Sequence, residues 1–188
     1  VASLRRGGRT ERREEDSNLA RFFRWIGILI LAAVAIFVLT ALAARMSDGP
    51  IGLFAGGPLD SGERMDEGLS DWSAFRGVNA IDLQLLEPPR SRRVWIIVDD
   101  DGSLYIPSGF VRSLPMWKHW PHEALADGRA IIRIEGLLYP VQLVRTEDMG
   151  LLSKLGRDLT KKYELPEPEG QPDPDDFWVF RVDPRTAP

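Results

Sequence analysis

Four adjacent residues carry the densest candidate chemistry in this chain: Arg90, Ser91, Arg92 and Arg93. Guanidinium forks and a hydroxyl match the oxygens of a phosphate or carboxylate, so the run is an anion-binding candidate. The competing reading is a solvated shoulder beside a strand, its charges held in weak salt bridges. Trp117 and Trp120 are spaced to share one helical face, either stacking on a planar ligand or packing in the core. His119 and His122 have the spacing that begins a metal site. Pro121 lies between them and no third ligand is evident, so interfacial or capping roles are expected and no metal is assigned. Asp99-Asp100-Asp101-Gly102 offers carboxylates, but without the alternate spacing and downstream glutamate of an EF-hand it reads as a hairpin turn. No nucleophile-elbow pattern supports a Ser-His-Asp triad. The chain has no cysteine, which excludes disulfides, thiolate catalysis and sulfur-ligated metals. No catalytic residue is assigned.

The elements that must position these residues are legible in outline. Asn79 to Leu86 reads as a strand stopped by Pro88-Pro89. The β-branched run Val94 to Val98, the Asp-Gly turn and the return Ser103 to Ile106 make a hairpin. A helix is expected over Pro115 to Ala126, or from Pro121 if the proline marks its first turn. Arg129 to Glu135 alternates, Gly136 turns, and Leu138 to Val144 returns. Asp148 to Tyr163 places Met149, Leu152, Leu155 and Leu159 on one face, with Lys161 and Lys162 favourably placed in the last turn. Glu164 to Asp176 is a proline-rich acidic loop, and Phe177 to Val182 is a closing strand. About five short strands in hairpins with two helices predict a small α+β domain, an antiparallel barrel with two covering helices.

Ahead of this domain lies Trp25 to Ala44, a run without charge or proline. As a helix it covers roughly 30 Å, the hydrocarbon thickness of a bilayer. Arg24 and Arg45 bracket it, and Phe22, Phe23 and Trp25 stand where an interfacial aromatic belt would be. The residues read as one transmembrane helix over 22–45. Ala41-Leu42-Ala43 resembles a signal-cleavage site, but the apolar run is longer than a usual signal core, so an uncleaved signal-anchor is expected. Residues 1–24 hold seven arginines against four acidic residues, and only Arg45 and Arg64 follow within twenty residues of the span. The positive-inside rule then keeps the 1–21 arm cytoplasmic and exports the C-terminal bulk, across a bacterial inner membrane into the periplasm. Alone, this polar arm should be disordered. Residues 46–70 are rich in glycine and proline and read as a linker, yet they carry Ile51, Leu53, Phe54 and Leu59, which a solvated linker does not need. The exported domain is expected over 71–188. Net charge is −4, and the acidic outer part argues against a nucleic-acid partner.

The order strand, turn, strand, Trp-bearing helix, then a strand pair after Ala126-Asp127-Gly128-Arg129 resembles the split β-barrel family. That family includes flavin-binding pyridoxamine-oxidase-like proteins and deazaflavin-dependent nitroreductases. Trp117-Lys118-His119 with Glu123 to Gly128 resembles the nitroreductases' Trp-bearing helix and its exit. Ile131 to Gly136, Tyr139 to Val144 and Thr146-Glu147-Asp148 follow the next hairpin. The resemblance implies that Pro88 to Arg93 matches a phosphate-holding Gly-Arg-x-Ser-Gly turn, with Ser91 kept and the glycines absent. It further implies Arg90, Ser91, Arg92 and Arg93 as phosphate contacts and Trp117 as a ring-stacking residue for FMN or a deazaflavin.

Two functions follow as expectations. The leading one is a single-pass accessory subunit of a larger membrane complex, photosynthetic or respiratory, with the barrel as a docking module. Its partners would be the lipid bilayer and other membrane subunits, with no cofactor. The alternative is a membrane-anchored flavin- or deazaflavin-dependent oxidoreductase.

Overall fold

The structure is a computed structural model that describes residues 7–52, 54–114, 118–166 and 170–187, with only the backbone of 7–18 and 20. The chain divides into two compact units, Val1–Ala43 and Ala44–Pro188.

In the first unit, helix α1 (Gly7–Arg45) continues by two residues into the second. The segment expected to be a disordered arm is thus helical from Gly7. A helix commits few backbone groups to partners outside itself, so a polar stretch can extend an apolar one. Residues Arg21–Arg45 are long and apolar enough for a membrane anchor or a signal sequence, and none of their apolar window is buried. Phe22, Phe23 and Trp25 are all more than half exposed. Thr40, the one hydroxyl of the run, returns its hydrogen to the Ile36 carbonyl at 2.8 Å.

The second unit is an antiparallel sheet curled into a split barrel. Its strands are β1 (Glu63–Arg64), β2 (Ala80–Leu85), β3 (Arg90–Trp95), β4 (Ile97–Val98), β5 (Leu104–Ser108), β6 (Arg129–Ile134), β7 (Leu137–Thr146) and β8 (Trp178–Pro184). Pairing runs β3-β2-β6-β7-β8-β5-β4, with β1 added in parallel to β7. The two ends of this path, β3 and β4, are successive pieces of one chain stretch, separated only by Ile96. One bent strand therefore belongs to both edges and closes the sheet upon itself, while β3 and β5 come close without pairing and form the split. The run expected as one strand breaks at Ile96, which is fully buried and whose N–H is held by the Tyr163 hydroxyl at 3.0 Å.

The barrel interior is built from alternating positions. Ile81, Leu83 and Leu85 of β2, Leu104 and Ile106 of β5, and Phe180 and Val182 of β8 all join one apolar cluster with Trp72 and Trp120. The β6–β7 turn places Glu135 and Gly136 at φ 50° and 82°, the pair of positive angles that a type I′ hairpin demands. Helix α2 (Trp120–Ala126) has Pro121 in its first turn, and α3 (Met149–Tyr163) is capped by Asp148, which accepts from the Leu151 N–H at 3.0 Å. Leu152 and Leu155 of α3 bury against Ile97, Tyr105 and Val179 on the outer sheet face.

Residues 46–70, expected as a linker, lie within the second unit: Gly56 pairs along the edge of β3, Leu59 packs over β2, and 63–68 run beside β7. Leu59 is fully buried, and its N–H donates to Gln84 Oε1 at 2.7 Å. Gly56 and Ser91 exchange backbone hydrogen bonds, N–H to O, at 2.8 and 3.3 Å. Arg133 donates to both Asp48 oxygens at 3.0 and 2.9 Å and to Asp82 Oδ2 at 3.1 Å. This strap explains the imperfect alternation of β2. Asp82 and Gln84 point outward yet are buried: Gln84 accepts from Leu59 of the strap, and Asp82 is paired with Arg93 and Arg133. Ile51 remains 44% exposed, and Leu53 lies outside the described residues.

Candidate functional site

The residues expected as a phosphate turn form strand β3; the turn is Leu86–Pro89 before it. Pairing with β2 extends 90–95, with Arg90 opposite Leu85 and Trp95 opposite Ala80. A strand sends neighbours to opposite faces, so the four candidates disperse. Ser91 is fully buried beneath the strap and donates to the Gly57 carbonyl at 2.6 Å. Arg93 points outward and pairs with Asp82 at 3.1 Å. Arg90, at the strand's start, lies opposite Leu85 and away from the cleft lining. Arg92 turns inward, and its guanidinium stands 5.8 Å from the Trp120 ring centre. Trp117 lies outside the described residues. His119 stands at the N-cap position of α2 without a side-chain capping hydrogen bond, and His122 meets Trp178 edge-on at 4.8 Å. Among the described residues no three metal-ligating side chains assemble.

Arg92 opens onto a cleft of about 760 Å³ at the split between β3 and β5. Its walls are Val94 and Trp95 of β3, Pro107 and Phe110 at the end of β5, and Trp120 of α2. Gly156, Leu159 and Thr160 of α3 cover it, and Pro50, Gly52, Phe54 and Ala55 of the strap close one side. Trp95 is half-exposed and stacks on Tyr163 with centroids 4.5 Å apart and planes 13° from parallel. Phe110 is 61% exposed at the rim. This size and mixture suit a small organic ligand.

The cleft's charges are uneven. Asp173 is paired with Arg112 at 2.6 Å, and Asp176 accepts the backbone N–H groups of Arg112 and Ser113. Both acids are therefore engaged. Arg92 is not matched in the same way: its charged partner Glu123 stands at 3.5 Å, and among the described residues its buried Nε has no acceptor. Burial pushes its pKa down to about 10 against the pull of Glu123, with Arg90 adding repulsion. Burial, reinforced by Arg92, also holds the Lys118 ammonium below its ordinary value. Among the described residues no carboxylate lies within salt-bridge range of Lys118. A buried unpaired donor costs ~1–3 kcal/mol, so an acceptor placed here would be strongly favoured. Sequence reasoning marked Arg92 but passed over Lys118, whose signal was a lone cation between Trp117 and His119.

No protein-family model matches the chain, and no curated protein matches it. Two solved structures do show similarity. One is a Listeria innocua protein assigned as a pyridoxamine 5'-phosphate oxidase, with 19% identity over 57% of this chain and 85% of that one, at a TM-score of 0.43. The other is an F420 reductase, with 12% identity over 63% of this chain and 95% of its own, at a TM-score of 0.41. The expectation that no cofactor is needed is corrected: the two similar structures are a protein assigned as a pyridoxamine 5'-phosphate oxidase and an F420 reductase, which stands against it. The residues present fit such a group, since Arg92 leaves a buried donor open within an aromatic-walled cleft.

Proposed function

We propose that the barrel binds a planar, anionic cofactor of the flavin or deazaflavin class in the β3–β5 cleft, as part of a membrane-anchored oxidoreductase. The observation that carries this reading is Arg92, a desolvated guanidinium with an open Nε, set beside Lys118 and facing Trp120. Arg92 and Lys118 would hold the negative end of the ligand. Trp95, Trp120 and Phe110 would flank its ring and exclude water. When bound, a flavin or deazaflavin supplies electron or hydride transfer. The apolar helix would anchor the domain, and the arginines before it favour a cytoplasmic N-terminus with the barrel exported.

The test is spectroscopic. Full-length protein in mild detergent should be coloured, or should bind added FMN or deazaflavin with a change in near-ultraviolet or blue absorbance. Arg92→Met should weaken that binding at least about tenfold, the loss of a charge-assisted hydrogen bond. A colourless protein that takes up neither cofactor overturns the proposal.

A second reading is a docking module for other membrane subunits, and one feature favours it. Ile51, Trp95, Phe110 and Leu114 are exposed apolar side chains, three of them at or beside the cleft mouth. Under this reading the protein copurifies with a stoichiometric partner in mild detergent, whereas purification as a lone monomer excludes it.

A further inference from the structure

A second group of unpartnered donors lies on the barrel's inner face, away from the cleft lining. Ser108 of β5 and Trp178 of β8 are direct partners in the strand register. Their exposures are 2% and 8%, and neither Ser108 Oγ nor Trp178 Nε1 has a hydrogen-bond partner. Arg145 of β7 stands over the Trp178 ring with its guanidinium carbon 4.0 Å from the centroid, and its buried Nε is also unpartnered. The remaining guanidinium contacts are weak or neutral: Glu147 at 3.5 Å, itself 76% exposed, and the Pro174 carbonyl at 3.0 Å. Directly opposed residues have Cβ atoms about 4.5–5.5 Å apart, which sets the serine beside the indole, and Arg145 packs over the face of the same ring.

The chemistry of this set is one-sided. Two N–H groups can only donate, the hydroxyl can donate, and one of the three belongs to a full positive charge. A water returns a hydrogen to the serine oxygen but brings no negative charge to the guanidinium. An acceptor-only species can serve all three. The neighbours limit its size: between ring centroids His122 stands 4.8 Å and Phe180 6.4 Å from Trp178, and Leu143 packs in the same core.

We propose that Ser108, Arg145 and Trp178 form a binding site for a small monovalent anion of the chloride class. The site does not depend on the cleft reading, since none of the three lines that cleft. It completes the hydrogen bonding of the β5–β8–β7 corner.

Full-length protein in detergent tests this by thermal unfolding in sodium chloride, bromide or gluconate at constant ionic strength. Chloride and bromide should raise the Tm in a saturable way and gluconate should not. Trp178→Phe keeps the ring and removes the N–H; Arg145→Lys keeps the charge and removes the Nε donor; Ser108→Ala is the mildest change and guards against misfolding of the other two. Each should weaken the half-saturating chloride concentration about tenfold or more, as expected for loss of a hydrogen bond to a charged partner. A bromide-soaked crystal should show an anomalous peak beside Trp178 Nε1. Equal Tm in chloride and gluconate, an unchanged midpoint in Ser108→Ala, or an ordered water only at that position overturns the proposal.

Discussion

Arg92 shows how a strand's alternation assigns different tasks to identical side chains. Arg92 and Arg93 are adjacent in sequence and both border the cleft, yet one is desolvated beside Trp120 and the other is largely exposed and pairs with Asp82. The sequence marks the cluster as an anion candidate, but it does not say which arginine is desolvated. That depends on register, which the pairing of β2 with β3 sets. Lys118 was missed for the same reason, because burial and the neighbouring Arg92 single it out only in three dimensions. The pair carries a pH prediction. Binding of an anionic ligand needs Lys118 charged, and its pKa lies below the ordinary 10.5. Affinity should hold through neutral pH and fall on the alkaline side as pH rises through that lowered value. Lys118→Met should bind more weakly at neutral pH and keep only the alkaline step of Arg92, whose pKa is about 10, measured by cofactor titration across pH.

At the scale of elements, the hairpins and α3 were legible because turn residues and periodicity agree with the tertiary contacts. The strap over 46–70 was not. Glycine and proline density signals irregular backbone, and irregular backbone packed on a sheet has the same composition as a free tether. The better signal was apolar content, and Leu59 has the burial that its side chain calls for. Gly56 is essential to this packing, since a Cβ there would meet the Gly49 carbonyl oxygen at 2.0 Å and Ser91 Oγ at 2.6 Å. Gly56→Ala should destabilise the domain by ~1–3 kcal/mol, read from denaturant unfolding. Arg133→Met should cost ~3 kcal/mol, because Asp82 and Asp48 lose a shared cation in a largely buried network. Asp48 adds an acid-side dependence. The Ser61 hydroxyl, then backbone N–H groups and Arg133, hold its carboxyl well below the usual range despite partial burial. A lowered carboxylate contributes stability above its unfolded value of 3.8 and loses it as pH falls through the folded one. Asp48→Asn should flatten that part of the acid unfolding curve.

The whole molecule combines one apolar helix with one barrel, and both were legible as classes. The helix was the easier to read, because uniform apolarity over a bilayer's length needs no tertiary information. Full-length protein should sediment with membranes and resist alkaline carbonate extraction; recovery in a detergent-free soluble fraction would contradict anchoring. The barrel's closure was harder, since it turns on residues 90–98 serving both ends of the pairing path. That double service has a consequence for behaviour in concentrated solution. Sheets aggregate by recruiting a neighbour's strand onto a bare margin. Here the margin at β3 meets the strap through the Gly56–Ser91 bridge, and Ile96 between the two pieces is occupied by Tyr163. Crowded preparations should stay dispersed so long as that seam is sealed, and loosening the strap should expose the first place where one copy can stitch itself to another.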